Sequence, residues 1–547
     1  MPSRSDAHTV RGIDYASTFW FTEIFRSFRI ATQPGKMGLA LLLVIAVFIS
    51  SLLLDGLFGG RSVVPGEFQR FATQSAEDYD DWREMEMQSV RRRLAIIAAS
   101  YSDQSRQATI EHYAEMSSPF REARKVVNDH FDGRIEDLKE RQAAETPDAS
   151  DPETAKAIEE EYATARSVIE DQRHTNLTRI NDLASTGIFR EVIDIKINAF
   201  ARLITAATEL NPGWDQLNPA RDLERAQFNE DLTPTIIGSL RVVLYEMPTW
   251  MWHSHRGFMV VSMLLFLGIW SLFGGSISRM CVVEVATDER ESAFAAFAFS
   301  RKRWLQYALA PAIPMILIGI FALLLAAIGL LYHVPVLDIL AGVLFALAIP
   351  VGFAMAFFLI GWVGAVHLMY PAISAEGTDA FDSLSRSYGY VLNRPWRFLL
   401  YTFVSLIYGA ATYLFVGLFV FTALYLAQGA TAIWSGRFDQ IMSQPRVGDL
   451  TYNLDFSELT ATEKVTAVIV FVWVHLAVGL VAAYALSYYF SCYSTIYMLL
   501  RRRCDGVSIT EVYNEADDKS EGPGDKIEPG STPPVNEPAP LSQADAE

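Results

Sequence analysis

Three histidines are the residues of this sequence whose chemistry comes closest to a metal site. His253 and His255 form an H-x-H pair ahead of one apolar block, and His333 lies between two later blocks. Protein metal sites combine imidazoles with further Cys, His or carboxylate ligands at short spacing. No such ligand accompanies these three, and the neighbouring Trp250 and Trp252 are typical of an aromatic belt at a membrane surface. We therefore interpret the histidines as interfacial residues and expect neither a metal nor a cofactor.

The sequence also lacks the motifs of the common enzyme classes. It contains no phosphate-binding loop, nucleophile elbow, H-E-x-x-H helix or kinase signature. A net charge of −18 argues against a nucleic-acid partner. The three cysteines, Cys281, Cys492 and Cys504, do not form a disulfide framework. We expect a protein that is not an enzyme.

Two stretches share the spacing E-x3-AF-x2-Φ-x2-S, in which Φ is an apolar residue. The first stretch supplies Glu289, Ala293, Phe294, Phe297 and Ser300, followed by Trp304. The second supplies Glu376, Ala380, Phe381, Leu384 and Ser387, followed by Arg394, Trp396 and Arg397. Each stretch follows one apolar block and precedes the next. This placement predicts a parallel internal repeat, with both copies entering from the same side of a membrane.

Each copy also has the pattern of a short amphipathic helix, near residues 288–303 and 378–394. In the second copy one helical face carries Phe381, Leu384, Tyr388 and Val391. Such a helix can lie at the level of lipid headgroups, with its arginines near phosphates and its tryptophan at the interface. We expect Asp379 or Thr378 to cap the second helix, and Asp288 with Glu291 to form a capping box for the first.

Six blocks of low charge must position these helices. They are Leu39 to Leu57, Phe258 to Phe273, Ala308 to Leu331, Ile339 to Val366, Phe398 to Leu426 and Val465 to Tyr489. Most reach the roughly 20 residues that cross a bilayer. The sequence therefore predicts an all-α membrane protein with six transmembrane helices.

Basic residues predict the orientation of the spans. Lys and Arg cluster before the first span and after the second, fourth and sixth, and the positive-inside rule places these ends in the cytoplasm. The predicted organisation is a cytoplasmic segment 1–36, a first span 37–58, an extracytoplasmic domain 59–255, a membrane domain 256–500 and a cytoplasmic tail 501–547, disordered after about 514.

The predicted extracytoplasmic domain has the composition of helices. Stretches from Asp80 to Arg141 and from Pro152 to Leu210 are rich in Ala, Glu, Arg, Gln and Leu. They predict an antiparallel hairpin or small bundle, broken near Pro119 and Gly133. Apolar positions at helical spacing are expected to form its own core, and self-association through a coiled coil is the alternative.

The second copy resembles a known bacterial family. Its stretch EGTDAFDSLSRSYGYVLNRPWR resembles a signature of the membrane domain found beside glycerophosphodiester phosphodiesterases and in many bacterial multi-pass inner-membrane proteins. The matching residues are Glu376, Gly377, Leu384, Arg386, Ser387 and Trp396. The phosphodiesterase barrel itself is absent from the sequence. The resemblance thus implies a membrane fold and an inner-membrane location, and it supplies no catalytic residue.

These observations favour one function and leave two alternatives. We expect a scaffold or membrane-organising protein of the bacterial inner membrane, with an extracytoplasmic stalk that binds a protein partner or a second copy. The first alternative is a permease for a neutral or lipid-like solute, suggested by the parallel repeat. The second is the binding or handling of membrane lipids at the cytoplasmic interface, suggested by the resemblance and by Arg394 and Arg397.

Overall fold

The fold is taken from a computed structural model of the chain. It describes residues 20–58, 63–64, 66–73, 76–101, 106–116, 119–145, 152–183, 187–213, 234–433 and 461–513. Almost all of these residues are helical, and none of them belongs to a β-strand. Within this part of the chain the predicted all-α class is confirmed. Most of the predicted N-terminal segment and the predicted disordered tail lie outside the described residues.

Seventeen α-helices make up the described chain. The first ten are α1 (Arg26–Ala31), α2 (Pro34–Leu57), α3 (Glu67–Thr73), α4 (Ala76–Ala99), α5 (Arg106–Glu115), α6 (Pro119–Glu145), α7 (Pro152–Leu183), α8 (Ile188–Thr208), α9 (Ile236–Arg241) and α10 (Met247–Ser254). The other seven are α11 (Arg256–Thr287), α12 (Ala293–Lys302), α13 (Trp304–Leu330), α14 (Leu337–Glu376), α15 (Ala380–Asn393), α16 (Pro395–Ala432) and α17 (Ala461–Cys504).

Six of these helices are long and apolar enough to cross a membrane. They are α2, α11, α13, α14, α16 and α17, and each covers one of the six predicted blocks, except that Leu331 lies one residue beyond α13. The prediction of six candidate spans is confirmed for the described residues. Their large apolar side chains are widely exposed, as lipid-facing surfaces require.

Several of these helices are longer than a bilayer is thick. Helix α14 has 40 residues and α17 has 44, so at 1.5 Å per residue they measure about 60 and 66 Å against a hydrocarbon core of about 30 Å. The chain from Leu368 to Ala375, which the hydropathy pattern placed after the fourth span, continues α14 and is fully buried. The first residues after the fourth apolar block therefore belong to the buried C-terminal turns of α14.

The chain divides into two compact units. The first comprises residues 1–30, 275–405 and 490–547, and the second comprises 31–274 and 406–489. The core of the first unit surrounds the C-terminal turns of α14. There Tyr370 contacts Tyr307 of α13 and Phe490 of α17, with ring centroids 5.0 and 6.1 Å apart.

The second unit contains the helices between the first and second spans. One apolar cluster joins α4, α5, α6 and α7 and includes Leu94, Tyr113 and Phe131. Another joins the end of α2 to α3, α4, α8 and α10. The prediction that the apolar positions of this segment form its own core is confirmed for these residues. The expected break at Gly133 is wrong, because α6 passes through it without interruption. No atom lies near that glycine, and one glycine costs an exposed helix only about 1 kcal/mol.

Candidate functional site

The two predicted amphipathic helices exist and begin in the same way. Ser292 caps α12 by accepting the Ala295 N–H at 3.2 Å, and Asp379 caps α15 by accepting the Asp382 N–H at 2.8 Å. Both caps stand immediately before the Ala-Phe pair of the shared spacing. The predicted cap Asp379 is confirmed. The prediction that Asp288 and Glu291 form a capping box for α12 is wrong, because Asp288 has a left-handed backbone (φ 57°) just after α11 ends.

Three of the four matching positions within the two helices share their exposure, and the alanines differ. Ser300 and Ser387 are fully buried, whereas Phe294 is 90% exposed and Phe381 is 69% exposed. Ala293, Phe297 and Leu384 are partly exposed, and Ala380 is buried. Each copy therefore holds its serine inward and its first phenylalanine outward.

Basic and aromatic residues lie exposed at the far end of each helix. In the first copy these are Arg301, Lys302 and Trp304, and in the second Arg394, Trp396 and Arg397. An exposed aromatic side chain near guanidinium groups suits the boundary between hydrocarbon and phosphate. Seven of the sixteen predicted interfacial residues are therefore exposed, whereas Ser300, Ala380 and Ser387 are buried.

The shared glutamate differs between the copies. Glu289 is exposed in the loop after α11, but Glu376 is nearly buried at the last turn of α14. Its carboxylate pairs with Arg386 at 2.7 Å and Arg501 at 3.2 Å, and it accepts the Tyr497 hydroxyl at 2.5 Å. The glutamate and arginine of the resemblance motif therefore form a buried ion-pair network that joins α14, α15 and α17.

Helix α14 ends at Gly377, where the chain turns sharply. Gly377 has φ 65°, a conformation that suits glycine, and a Cβ there would lie 2.8 Å from the Tyr513 ring. Tyr513 also donates its N–H to the Ala375 carbonyl at 2.8 Å, and its ring lies under the guanidinium of Arg303. The chain that follows α17 is thereby fixed against the end of α14.

Two arginines hold the same segment through main-chain atoms. Arg279 donates to the carbonyl oxygens of Ser374 at 2.7 Å and Tyr513 at 3.0 Å, and Arg501 donates to the Glu511 carbonyl at 2.6 Å. Arg279 also pairs with Glu291 at 3.2 Å. Burial raises the pKa of Glu291, and the charge of Arg279 opposes that rise.

Helix α15 runs back along α14. Ser383 donates to the Met369 carbonyl and Tyr388 donates to the Phe358 carbonyl, both at 2.8 Å. A Cβ at Gly361 would lie 2.3 Å from the Tyr388 ring, so glycine makes this close approach possible. The predicted apolar face of α15 is therefore divided, because Tyr388 packs against α14 whereas Phe381 points outward.

The predicted histidines lie in different surroundings. Both His253 and His255 interact with a carboxylate, Asp80 at 3.0 Å and Glu67 at 3.2 Å respectively, and His333 is exposed after α13. No group of three or more His, Cys, Asp or Glu that could hold a metal ion occurs among the described residues.

Glu67 is the centre of a polar cluster that sequence reasoning missed. Its side chain is fully buried, and one oxygen accepts from Tyr79 at 2.8 Å, Arg83 at 3.2 Å, Trp250 at 3.3 Å and His255. The other oxygen accepts the Val64 N–H at 2.8 Å. The carboxylate thus ties α3, α4 and α10 together at the start of the second span.

The cluster favours an ionised carboxylate. Burial alone would raise the pKa of Glu67, but the hydrogen bond from His255 and the charge of Arg83 lower it below its ordinary value. Burial and the Glu67 charge raise the pKa of Tyr79, so its hydroxyl keeps its proton. Five donors of the described chain bind Glu67, the side chains of Tyr79, Arg83, Trp250 and His255 and the Val64 N–H, which is typical of a structural support.

A second carboxylate attaches α8 to the first span. Asp55, near the end of α2, accepts the Phe189 N–H at 3.2 Å, so it caps α8 from another helix. A Cβ at Gly187 would lie 2.2 Å from an Asp55 carboxylate oxygen, so any larger residue there requires the Asp55 side chain to move. Helix α8 therefore begins at the end of a candidate membrane span.

Helix α8 carries two apolar faces. Ile188, Val192, Ile195, Ala199 and Ala206 are buried on one face. A second row, Ile197, Phe200 and Ile204, is 59%, 63% and 51% exposed. Sequence reasoning overlooked this row because it treated apolar positions at helical spacing as core.

The chain matches no protein-family model and shows no significant similarity to the curated proteins or the solved structures with which it was compared.

Proposed function

We propose that the chain is a non-enzymatic, multi-pass scaffold of the bacterial inner membrane. Both termini lie in the cytoplasm, and residues 59–255 form an extracytoplasmic helical domain that binds other proteins. The single observation that carries this proposal is the exposed row Ile197, Phe200 and Ile204 on α8. A row of large apolar side chains in an aqueous compartment is typical of an interaction surface.

The attachment of α8 supports the same function. The Asp55 cap and the Glu67 cluster fix the surrounding helices to the ends of two candidate spans. A surface held in this way keeps a constant position relative to the membrane. Such rigidity reduces the conformational entropy that is lost when a partner binds.

Site-specific photocrosslinking tests the interaction surface. A benzoylphenylalanine at Phe200 in intact cells should form adducts of higher mass. The same group at Asn198, which is also exposed but lies on the polar side of α8, is the matched control. The proposal fails if Phe200 yields no more adduct than Asn198.

Cysteine labelling tests the orientation. Cysteines introduced at Glu160 and Ser508, both exposed, are treated with a membrane-impermeant maleimide. We expect intact cells to label residue 160 and only permeabilised cells to label residue 508. Equal labelling of both in intact cells contradicts the proposed topology.

The matching caps and burial support the internal repeat. We infer that α11, α12 and α13 are related to α14, α15 and α16 by a parallel repeat, with Ser292 and Asp379 at equivalent positions. The glutamates of the proposed repeat have different surroundings, because Glu289 is exposed whereas Glu376 pairs with Arg386 and Arg501.

A second candidate function is the binding of acidic lipid headgroups at α12 and α15. It is favoured by the outward phenylalanines, Phe294 and Phe381, that accompany exposed basic residues in both copies. The test is native mass spectrometry from nanodiscs of phosphatidylglycerol or phosphatidylcholine. Replacing Arg394 and Arg397 by Gln should reduce retained phosphatidylglycerol, whereas Arg93→Gln, in α4, should not. Equal retention in all variants removes this candidate.

A further inference from the structure

The helical segment before candidate span α11 exposes only apolar and aromatic side chains. Helix α9, one π-helical turn (Val242–Glu246) and α10 follow one another without a break over residues 236–254, all of which the structure describes. Four side chains of this segment are exposed, and each of them is large and apolar or aromatic. They are Leu240 (42%), Leu244 (65%), Tyr245 (61%) and Trp252 (57%).

The polar side chains of the segment are bonded to protein atoms instead. Arg241 pairs with Glu246 at 3.1 Å, and Thr249 donates to the carbonyl oxygens of Tyr245 and Glu246 at 2.8 and 2.9 Å. The other three pairs are Ser239 with the Thr235 carbonyl at 2.8 Å, His253 with Asp80 at 3.0 Å and Ser254 with Tyr79 at 2.7 Å. Every Ser, Thr, Arg, Glu and His of residues 236–254 thus has a protein partner.

This pattern is the reverse of a helix that is surrounded by water. A helix at an aqueous surface turns its polar residues outward and its apolar residues toward the core. Helix α8, in the same compact unit, has that ordinary pattern, because Asp194, Lys196 and Asn198 are exposed beside its apolar row. In hydrocarbon, by contrast, polar groups must be satisfied within the protein. The exposed side of residues 236–254 therefore has the chemistry of a surface that contacts lipid.

The connection to α11 places this surface at a membrane boundary. Residues 257–278 carry no charge and, as a helix, measure about 33 Å, close to the hydrocarbon core of about 30 Å. Arg256 therefore lies at the edge of that core. Trp252 comes one turn earlier, and its carbonyl accepts the Arg256 Nε–H at 3.0 Å. Four helical residues rise about 6 Å, the approximate thickness of one headgroup layer, so Trp252 lies in that layer for any direction of α10.

The inner side of the segment is fixed to both neighbouring spans. Trp250 and Met251 are buried in a cluster that also contains Leu54 of α2 and Phe258 of α11. The two spans meet at this level, because the ring centroids of Phe58 and Phe258 are 5.8 Å apart. The segment cannot move away from the span ends without opening this core, so its exposed side stays near the boundary.

We propose that residues 236–254 form an interfacial helix that binds the phospholipid surface, with Leu240, Leu244, Tyr245 and Trp252 inserted among the headgroups and the adjoining acyl chains. Trp and Tyr favour this layer because their rings are apolar and their N–H and O–H groups are polar. Arg256 keeps its charge at the phosphates. The inference rests on the membrane crossing of α11 and is independent of the protein-binding surface proposed for α8.

Photocrosslinking to lipid tests the inference. Benzoylphenylalanine replaces Leu244 or Trp252 in the full chain, which is held in nanodiscs of phosphatidylcholine. Leu264, 65% exposed on α11, is the lipid-facing reference position, and Asn198, exposed on α8, is the water-facing one. All four positions are exposed, so none of the substitutions opens the core.

Intact mass spectrometry after irradiation measures the fraction of chains that carry one added phosphatidylcholine. We expect the yields at residues 244 and 252 to match that at 264 and to exceed that at 198 by about tenfold, because acyl chains end below the headgroup layer. Yields equal to that at residue 198 overturn the proposal. A product of twice the chain mass also overturns it, because a second copy then covers this face.

Hydroxyl-radical footprinting of the unmodified chain in the same nanodiscs gives a second measurement. Phe200 of α8 has an exposed fraction of 63%, similar to those of Tyr245 and Trp252. We expect Tyr245 and Trp252 to be oxidised more slowly than Phe200, because lipid keeps water away from them. Oxidation of both residues at least as fast as that of Phe200 overturns the lipid contact and leaves the proposed surface on α8 intact.

Discussion

Replacing Glu67 by Gln tests whether the buried carboxylate holds α3, α4 and α10 together. Gln has nearly the same size, so the change removes the charge and replaces one accepting oxygen by a donating amide. The buried donors of Tyr79, Trp250 and His255, at 2.8 to 3.3 Å, then lose a charged acceptor. Removing one partner of a buried charged network costs about 3–5 kcal/mol.

Hydrogen exchange in nanodiscs measures this cost. A loss of about 3–5 kcal/mol corresponds to roughly a 10²- to 5 × 10³-fold increase in the open population. We expect that increase in peptides covering residues 63–83 and 247–255. The matched control is Asp80→Asn, which removes the carboxylate partner of His253 at the surface and should cost less than about 1 kcal/mol. Equal exchange in the two variants would refute the role assigned to Glu67.

The same network predicts how stability depends on pH. The folded pKa of Glu67 lies below its ordinary value of 4.5. The ionised group therefore contributes stability that is present above that value and is lost as the pH falls through the folded pKa. The protection factors of the same peptides, which are exchange rates corrected for the pH dependence of exchange in an unfolded chain, should stay constant from neutral pH to about 5 and decrease below 4.5. The Gln variant should lack this acid-dependent decrease, and an unchanged decrease would contradict the assignment.

Four further substitutions and one surface control test the remaining contacts. Glu376→Gln removes the carboxylate of the buried network and should cost about 3–5 kcal/mol, seen as faster exchange of residues 372–390, whereas Asp382→Asn at the surface should change exchange by less than about tenfold. Gly187→Ala should displace the carboxylate that caps α8 and raise exchange at residues 188–192, and unchanged exchange there would contradict the clash. Ser292→Ala and Asp379→Ala should each lower stability by about 1 kcal/mol, measured by exchange in the first turns of α12 and α15, and a loss confined to one helix would contradict their equivalence.

Hydropathy was sufficient to predict the six long helices, because the blocks are almost free of charged residues, with Asp55 in the first block as the exception. It underestimated their lengths. The last turns of α14 contain Ser374 and Glu376, which look like loop residues unless their buried partners are known. Those partners lie on other helices, far along the chain.

Local sequence patterns predicted one helix cap correctly and the other wrongly. Asp379 is the acidic residue directly before its helix, and the structure confirms it. In the first copy Asp288 and Ser292 are both able to cap, and the left-handed turn after α11 decides for Ser292. Local spacing alone does not reveal where the previous helix ends.

The support cluster around Glu67 had no sequence signal. Its donors come from a neighbouring helix and from residues 183 and 188 positions away along the chain. The nearest clue is a glutamate directly after the Pro-Gly pair in VVPGEF. Patterns within a short window cannot identify contacts of such separation.

The segment that follows α17 is held mostly through its main chain. Arg279 and Arg501 bind the carbonyl oxygens of Tyr513 and Glu511, and the amide of Tyr513 binds Ala375. Every amino acid offers a carbonyl oxygen, so substitutions at Glu511 should be tolerated, while the two arginines should resist replacement. Tyr513 should resist it as well, because its ring lies under Arg303 and beside Gly377. Evolution could therefore change residue 511 freely, and a comparison of relatives would find the imprint of its contact in the arginine that binds it.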